Sequence, residues 1–402
     1  MERIRSDNWS AGANNVASRD RLPPNSVREA INLDPLPGGR LALRIGYQRI
    51  YIGAAVRGVL SLRNRLLIAD GADLVEYSID SNSSRVIRQI TDAGPFVGTV
   101  LNGRLYFCTA DECLEYDDDM VRPWGVPDVL FQPFVASGPG GTLLAGNYSI
   151  AVTYTDRWGR EGGTDRPVII AASSGGLLSV QVDSIPAGCT ANIYAGQADG
   201  ATLYRQGSLS VAGSFQIGAV RDDLERCTTI LMRAPSPGHL VSRHNGVIGI
   251  AAGRVVQCTV PMRPHLIDRV RGFFQYPSKV GLLLSAAGVL FVGSDRVYSL
   301  ATLETSEVQQ GVAMEHSAVA GTGVLLPDGR GAWMTRYGLA IASIEGVQLI
   351  NRQSFAPVES PLGTAGLIDH NGNQLFITAL TGINRPNPLA STDTFIGEVM
   401  NP

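Results

Sequence analysis

The stretch NRLLIADGADLVEYS, residues 64–78, sets two apolar runs, Leu66-Leu67-Ile68-Ala69 and Leu74-Val75-Glu76-Tyr77, either side of Asp70-Gly71-Ala72-Asp73. Near-continuous apolar runs of four, bounded by Gly and Asp, are what a buried β-strand feeding a tight turn requires. The same arrangement returns as NGRLYFCTADECLEYD, residues 102–117, and both second runs end on Glu-Tyr. Further copies are NGVIGIAAGRVVQCTV from 245, AGVLFVGSDRVYSLAT from 287, RGAWMTRYGLAIAS from 330 and GNQLFITALTG from 372. Leu66 to Leu105 is 39 residues, Val247 to Val289 is 42, and Val289 to Ala332 and Ala332 to Leu375 are 43 each. A period near 40–45 with four strands' worth of chain per copy is the signature of β-propeller blades. Six copies predict an all-β fold of about six blades. Strand-like sequence at Arg44 to Ile52 and Thr394 to Met400 is placed to close the ring, since an open sheet edge invites aggregation.

One interval breaks the period. Leu105 to Val247 is 142 residues, which leaves about a hundred after one period is removed. The excess is bracketed by the proline-rich segments RPWGVPDVLFQPF, with Pro123, Pro127 and Pro133, and APSPG, with Pro235 and Pro237. Between them GNYSIAVTYTD puts Tyr148, Ile150, Val152 and Tyr154 on one face by strict alternation. Shorter strands are expected at Pro167–Ala171, Leu177–Val182, Thr190–Tyr194, Ala201–Arg205 and Ser214–Ile217, joined by turns such as DRWGREGG. Seven or so short strands in this length suit an immunoglobulin or fibronectin type III-like β-sandwich, without the Cys…Trp…Cys pattern of antibody domains. The expected organisation is an N-terminal arm over 1–40, propeller over 41–122, linkers and inserted sandwich over 123–237, and propeller again over 238–402. The arm is polar, with one short helix candidate at Ser26 to Ile31, and cannot build a core of its own.

The phrase G-N-Y-S-I-A-V-T-Y-T-D-x-x-G-x-E-G-G, from Gly146 to Gly163, and A-N-I-Y-A-G-Q-A-D-G, from Ala191 to Gly200, resemble fibronectin type III-like modules of bacteriophage tail proteins. The segment from Gly12 to Tyr47, with its L-P-P-N-S-V-R-E-A-I-N-L-D-P-L-P-G-G core, resembles the opening of such proteins. Together these segments cover about a third of the chain, and none of them is a catalytic motif. The resemblance implies a virion structural protein, similar to the β-propeller nozzle or hub proteins of short-tailed phages. It implies neighbouring tail and neck proteins and a cyclic homo-oligomer as partners, a place in the virion tail after synthesis in the host cytoplasm, and passage of double-stranded DNA without specific binding. The alternative is a receptor-binding or tail-tip protein contacting host glycan, for which Trp124, Trp158 and Tyr276 are candidate loop aromatics. A glycan-degrading propeller enzyme is the third reading.

Composition limits the chemistry. The 402 residues are 17% charged with a formal net charge of −3, which gives no general attraction to nucleic acid or anionic membrane. Apolar runs of four to eight residues are too short to cross a bilayer, and the charged start MERIRSDNWS has no export signal. Of the 33 basic residues all but Lys279 are arginine, a bias that reads as GC-rich coding. The arginines are dispersed, with pairs such as Arg19/Arg21 and Arg269/Arg271 but no basic run. Asp70, Asp111 and Asp295 hold equivalent turn positions, where Asp bonds the local backbone; catalytic carboxylates must instead converge on one bond. Asp117-Asp118-Asp119 lacks the spacing of a calcium loop. Cys108, Cys113, Cys189, Cys227 and Cys258 form no zinc pattern with the histidines, and His244 and His370 read as surface residues beside turns. Cys108 and Cys113 can face each other across a hairpin, where they could bind metal or oxidise, though the ordinary reading is five reduced, partly buried residues. The expectation is no catalytic residue, no cofactor and no metal.

Overall fold

A computed structural model describes residues 8–381 except 29, 31–32, 37, 44–48, 118–119, 130–131, 306, 351, 358 and 371–372. The described chain is all-β: its strands form small antiparallel sheets in series, and its one helical element is the 3-10 turn Arg19–Arg21.

Each repeat is the middle of a sheet. In the first sheet Arg65–Asp70 and Asp73–Ser78 are the inner strands, with Val56–Leu62 and Ser83–Gln89 outside them. The pairing Asp70↔Asp73 leaves Gly71-Ala72 as a two-residue turn, and Gly71 takes φ +58°, a conformation that suits glycine. Inner strands are covered on both faces, so their runs are apolar almost throughout, with Glu76 the exception in this sheet. Leu67, Ala69 and Leu74 pack on Leu105, Phe107 and Leu114 of the second sheet, while Ile68, Val75 and Tyr77 pack under Tyr51 on the other face.

The second sheet is Val97–Leu101, Arg104–Cys108, Cys113–Asp117 and Met120–Pro123. The third holds Leu240–His244, Val247–Ala252 and Val255–Val260, and its last position is shared by Arg263–Asp268 and Phe273–Gln275. The fourth runs Leu282–Ala286, Val289–Gly293, Val297–Ala301 and Gln309–Met314, and the fifth Val324–Leu325, Gly331–Thr335, Gly338–Ser343 and Gly346–Ile350. In the last, Gly363–His370 pairs with Asn373–Leu380. The first strands of consecutive sheets lie side by side in chain order, from Val56–Leu62 through to Gly363–His370. Apolar clusters fill the spaces between neighbouring sheets: Leu101, Tyr106 and Cys108 meet Ile248 and Ile250, Val247 and Val256 meet Leu290 and Val292, and Phe291 meets Trp333. This face-to-face series of small sheets is propeller-like.

Between the second and third sheets the chain makes two more. One is Phe134–Leu143, Gly176–Val182 and Gly213–Ile217; the other is Val168–Ala172, Gly146–Asp156, Cys189–Gly196 and Leu203–Leu209. Tyr148, Ile150, Val152 and Tyr154 from one face Leu178, Val180 and Val182 from the other in a shared core. Phe134–Leu143 was not expected, because FVASGPGGTL is too rich in Gly and Pro to read as a strand.

Two expectations at the N-terminus change. Ser26–Val27 is not helix but pairs in parallel with Gly12–Ala13, each segment supplying backbone partners the polar arm otherwise lacks. The arm is tied down within the chain: the Asn15 side chain donates to the Ala356 carbonyl at 2.8 Å and accepts from the Ala356 amide at 2.9 Å. Arg49 to Ile52 carry no strand, and residues 44–48 and Thr394 to Met400 lie outside the described residues.

The contact between the first two sheets can be tested at Phe107, which is wholly buried with its ring 5.6 Å from that of Phe96. Phe107→Ala is expected to destabilise the protein by about 3–5 kcal/mol in urea unfolding, against about 0.5 kcal/mol or less for Val86→Ala on an exposed strand. Equal midpoints for the two variants would mean that the sheets do not pack on one another.

Candidate functional site

The Glu-Tyr that ends two of the repeats lies inside the molecule. Glu76 is 6% exposed and accepts from the Tyr116 hydroxyl at 2.6 Å and from Arg85 at 3.1 Å, with Arg65 at 3.5 Å. Burial pushes its carboxyl pKa up, but the Tyr116 hydroxyl and the two guanidiniums outweigh that and hold it below the usual range. The first sheet is thus bonded to the second through the tyrosine of the next repeat.

Glu115, the equivalent residue one repeat on, is 1% exposed and ion-paired with Arg122 of its own sheet. Its second guanidinium, at 3.2 Å, is Arg160, which belongs to the inserted sheets. Arg160 also binds Asp156 through Nε at 2.8 Å and donates to the carbonyls of Trp124 at 3.0 Å and Pro123 at 3.1 Å. Asp156 in turn accepts from the amides of Trp158 and Arg160, which shapes the DRWGREGG turn. The Trp158 ring lies among Arg157 at 4.3 Å, Arg122 at 4.8 Å and Arg160 at 5.3 Å. Glu161 accepts from Thr153 and from the Tyr194 hydroxyl, each at 2.6 Å.

The same turn meets both linkers. A Cβ on Gly163 would fall 1.9 Å from the Met232 carbonyl oxygen, so only glycine permits this approach of the returning chain. On the entering side Asp128 accepts from the Ala234 amide at 2.9 Å, which joins one linker to the other. Trp124 is completely buried, with its indole donating to the Pro264 carbonyl at 2.7 Å. His265 sits beside Arg160 and Arg263; burial and these cations push its pKa down to about 4. Chemically this is a charge-balanced, mostly buried joint, whose acids are taken up by guanidiniums, amides and hydroxyls. Against the third sheet, a cleft of about 350 Å³ is lined by Arg233, Val255, Ile267, Asp268, Arg269 and Phe273. Arg269 reaches from it to Asp165 of the insert at 2.9 Å.

The residues singled out from the sequence fall elsewhere. Asp70 accepts from the amides of Ala55 at 2.6 Å and Ala54 at 3.2 Å and from the Tyr51 hydroxyl at 2.9 Å. Asp111 binds Thr91 and Thr109, and Asp295 binds Tyr298 and Arg296. The three acids lie on the first, second and fourth sheets, each bonded locally. Asp117 pairs with Arg104 at 2.7 Å, and Asp118 and Asp119 lie outside the described residues. Trp124 and Tyr276 are buried rather than displayed on loops: the first packs with Tyr106, Ile248 and Ile250 between the second and third sheets, and the second packs at 5.0 Å from Tyr298 between the third and fourth. Trp158 is partly buried within the joint. His244 is buried as well, 3.0 Å from Ser285, because its turn abuts the fourth sheet. His370 ends a strand, and nothing is described of its side chain. Arg21 lies in the 3-10 turn, and Arg271 follows Arg269 on the third sheet's outer loop. Among the described residues no three His, Cys, Asp or Glu cluster as a metal site. Sequence reasoning missed the joint; the signal available was the repeated Glu, an acid inside an otherwise apolar run.

No protein-family model matches the chain, and no curated protein does. Among solved structures, the extracellular domain of a hybrid two-component system from B. thetaiotaomicron is 14% identical with a TM-score of 0.30, over 82% of this chain and 38% of that one. The chain therefore spans well under half of that protein's length. BBS1N in complex with ARL6DN is 11% identical with a TM-score of 0.29, over 82% of this chain and 90% of that one. A catalytically inactive virginiamycin B lyase from Staphylococcus aureus, with quinupristin, is 9% identical with a TM-score of 0.31, over 81% and 92%. At these scores the likenesses carry no argument, and the architecture rests on the strand pairing itself.

Two outcomes follow from the joint. Glu115→Gln leaves Arg122 and Arg160 without their shared charge and is expected to destabilise the protein by about 3–5 kcal/mol in urea unfolding. Glu225→Gln, at an exposed pair 3.5 Å from Arg205, should change stability by about 1 kcal/mol or less; equal effects would show that the joint contributes no more than a surface pair. His265 titrates near 4 in the folded chain against 6.5 as its ordinary value. Its stabilising contribution is therefore present above pH 6.5 and is lost as pH falls from there through 4, by up to about 3 kcal/mol. Urea midpoints across that window should slope less in His265→Gln, and an unchanged slope would mean that the folded protein accepts the proton freely.

Proposed function

We propose that the chain is a non-enzymatic structural protein of a bacteriophage tail, a nozzle, hub or neck-proximal ring component that forms part of the DNA-ejection conduit. In this reading the six sheets are the blades of a six-bladed β-propeller. The seven strands between residues 134 and 217 are an immunoglobulin or fibronectin type III-like module inserted between the second and third blades.

The observation that carries the reading is where the phage-tail-like phrase lies. Its closing residues, D-x-x-G-x-E-G-G, supply Asp156, Glu161 and Gly163, which shape the turn and admit the returning linker, while Arg160 between them reaches Glu115. The segment that resembles tail modules is thus the segment that fixes the insert to the stacked sheets. A rigid two-part subunit of this kind suits a ring, in which each copy presents one surface to a different surface of the next. The stacked sheets would form the plate and the inserted module the outward or inter-subunit contact. Partners would be tail and neck proteins and further copies of the chain. Of the aromatics that would have favoured a glycan-contacting tip, Trp124 and Tyr276 are buried.

Cryo-electron microscopy of virions of the encoding phage tests this directly. The expected result is ring density at the neck or nozzle that accepts the stacked sheets and insert as one rigid unit. Density at the tail tip would favour the receptor-binding reading instead, and release of reducing sugar from host polysaccharide by the purified chain would favour the enzyme.

A further inference from the structure

We propose that Cys108 and Cys113 are a redox modification site, forming a reversible disulfide across the central hairpin of the second sheet. The two residues are register partners on adjacent antiparallel strands, with their sulfurs 3.4 Å apart and unbonded. Their position in the ladder favours closure. The Cys113 carbonyl accepts from the Trp124 amide at 2.9 Å, so the backbone of Cys113 bonds away from Cys108, and the hydrogen-bonded pair next along is Thr109 with Glu112 at 2.9 Å. Cys108 and Cys113 are therefore a non-hydrogen-bonded pair, the kind in which facing Cα atoms come to about 4.5 Å and side chains lie closest. That separation falls within the range of roughly 4.4–6.8 Å that a disulfide spans, so the sulfurs can close to about 2.05 Å by side-chain rotation with little backbone movement.

The sulfurs differ in access. Cys108 is wholly buried beside Trp124, Ile248 and Ile250, whereas Cys113 is partly exposed and is the sulfur that a small co-reactant reaches. With a low-molecular-weight disulfide as oxidant, the Cys113 thiolate attacks one sulfur of the co-reactant and expels a thiolate. The Cys108 thiolate then attacks Cys113 Sγ in the mixed disulfide and expels the second. The protein loses two electrons and two protons, and the co-reactant is reduced to two thiols. The bond would join Arg104–Cys108 to Cys113–Asp117, the strand from which Glu115 reaches the insert and Tyr116 the first sheet. The inference stands on the hairpin alone and does not depend on the tail reading.

The test uses the full chain, reduced, desalted and incubated with oxidised glutathione, then alkylated in denaturant and digested with Glu-C. Cleavage after Glu112 separates the two cysteines. The expected product is a pair of peptides joined through Cys108 and Cys113, with the intact mass lower by two hydrogens before alkylation and the link undone by dithiothreitol. Cys189, Cys227 and Cys258 should be alkylated in the same sample. Alkylation of both Cys108 and Cys113, or a lasting glutathione adduct on Cys113, would overturn the proposal. Cys108→Ser should convert the joined product into that lasting adduct, and the wild-type peptide map decides the matter should this variant fail to fold.

Discussion

A carboxylate that has surrendered its water must be met by cations and donors, and Glu115 is met by two arginines from two parts of the chain. Removing an ion pair from water carries a desolvation penalty of several kcal/mol per ion, offset only when geometry and further hydrogen bonds are good. Around Glu115 that condition is met by construction: Arg122 comes from the neighbouring strand, and Arg160 is held by Asp156 and two linker carbonyls before it reaches the acid. This contact fastens the stacked sheets to the inserted pair, beside the buried linker residues Trp124 and Val126 and the Arg269–Asp165 pair.

The repeat explains why the acid stands there. Ten residues into successive copies come Glu76, Glu115, Gln257, Ser299 and Ala342. In these five copies the place lies inside the sheet, buried in all but the fourth, where Ser299 is half-covered. It is an acid only in the first two, where a cation is at hand: Arg65 and Arg85 for Glu76, Arg122 and Arg160 for Glu115. Gln257 keeps a polar group there, and no group among the described residues bonds its Oε1. A structural position that tolerates Ala has thus been turned into a fastening where a second body must be held.

Legibility in the sequence followed burial. Inner strands such as Arg104–Cys108 are covered on both faces and read as unbroken apolar runs, so they and their period were visible. Outer strands such as Ser83–Gln89 and Gln309–Met314 face solvent along much of their length and carry no comparable pattern. Phe134–Leu143 was masked by its own glycines and proline. Trp124 read as a loop residue because a proline-rich segment ordinarily lies at the surface, and nothing local reveals that Ile248 and Ile250 of the third sheet close over it. The joint was hidden for the same reason: Arg122 and Arg160 are 38 residues apart, and only the tertiary fold brings both to one carboxylate.

The arginine bias has a structural use whatever its origin. Arg57 ties the first sheet to the connector that leads to the second, donating to the carbonyls of Thr91 at 2.6 Å, Gly71 at 2.9 Å and Gly94 at 3.0 Å. Arg160 answers two carboxylates and two carbonyls with one planar group. A lysine ammonium has three donors on a single nitrogen and cannot reach acceptors so widely placed. For the insert to swing on its linkers, Arg160 would carry Asp156 with it but would have to release Glu115 and the carbonyls of Pro123 and Trp124 together, which leaves the buried Glu115 with Arg122 alone. One guanidinium thus sets three separate contacts between the insert and the rest of the chain, at Glu115, Pro123 and Trp124.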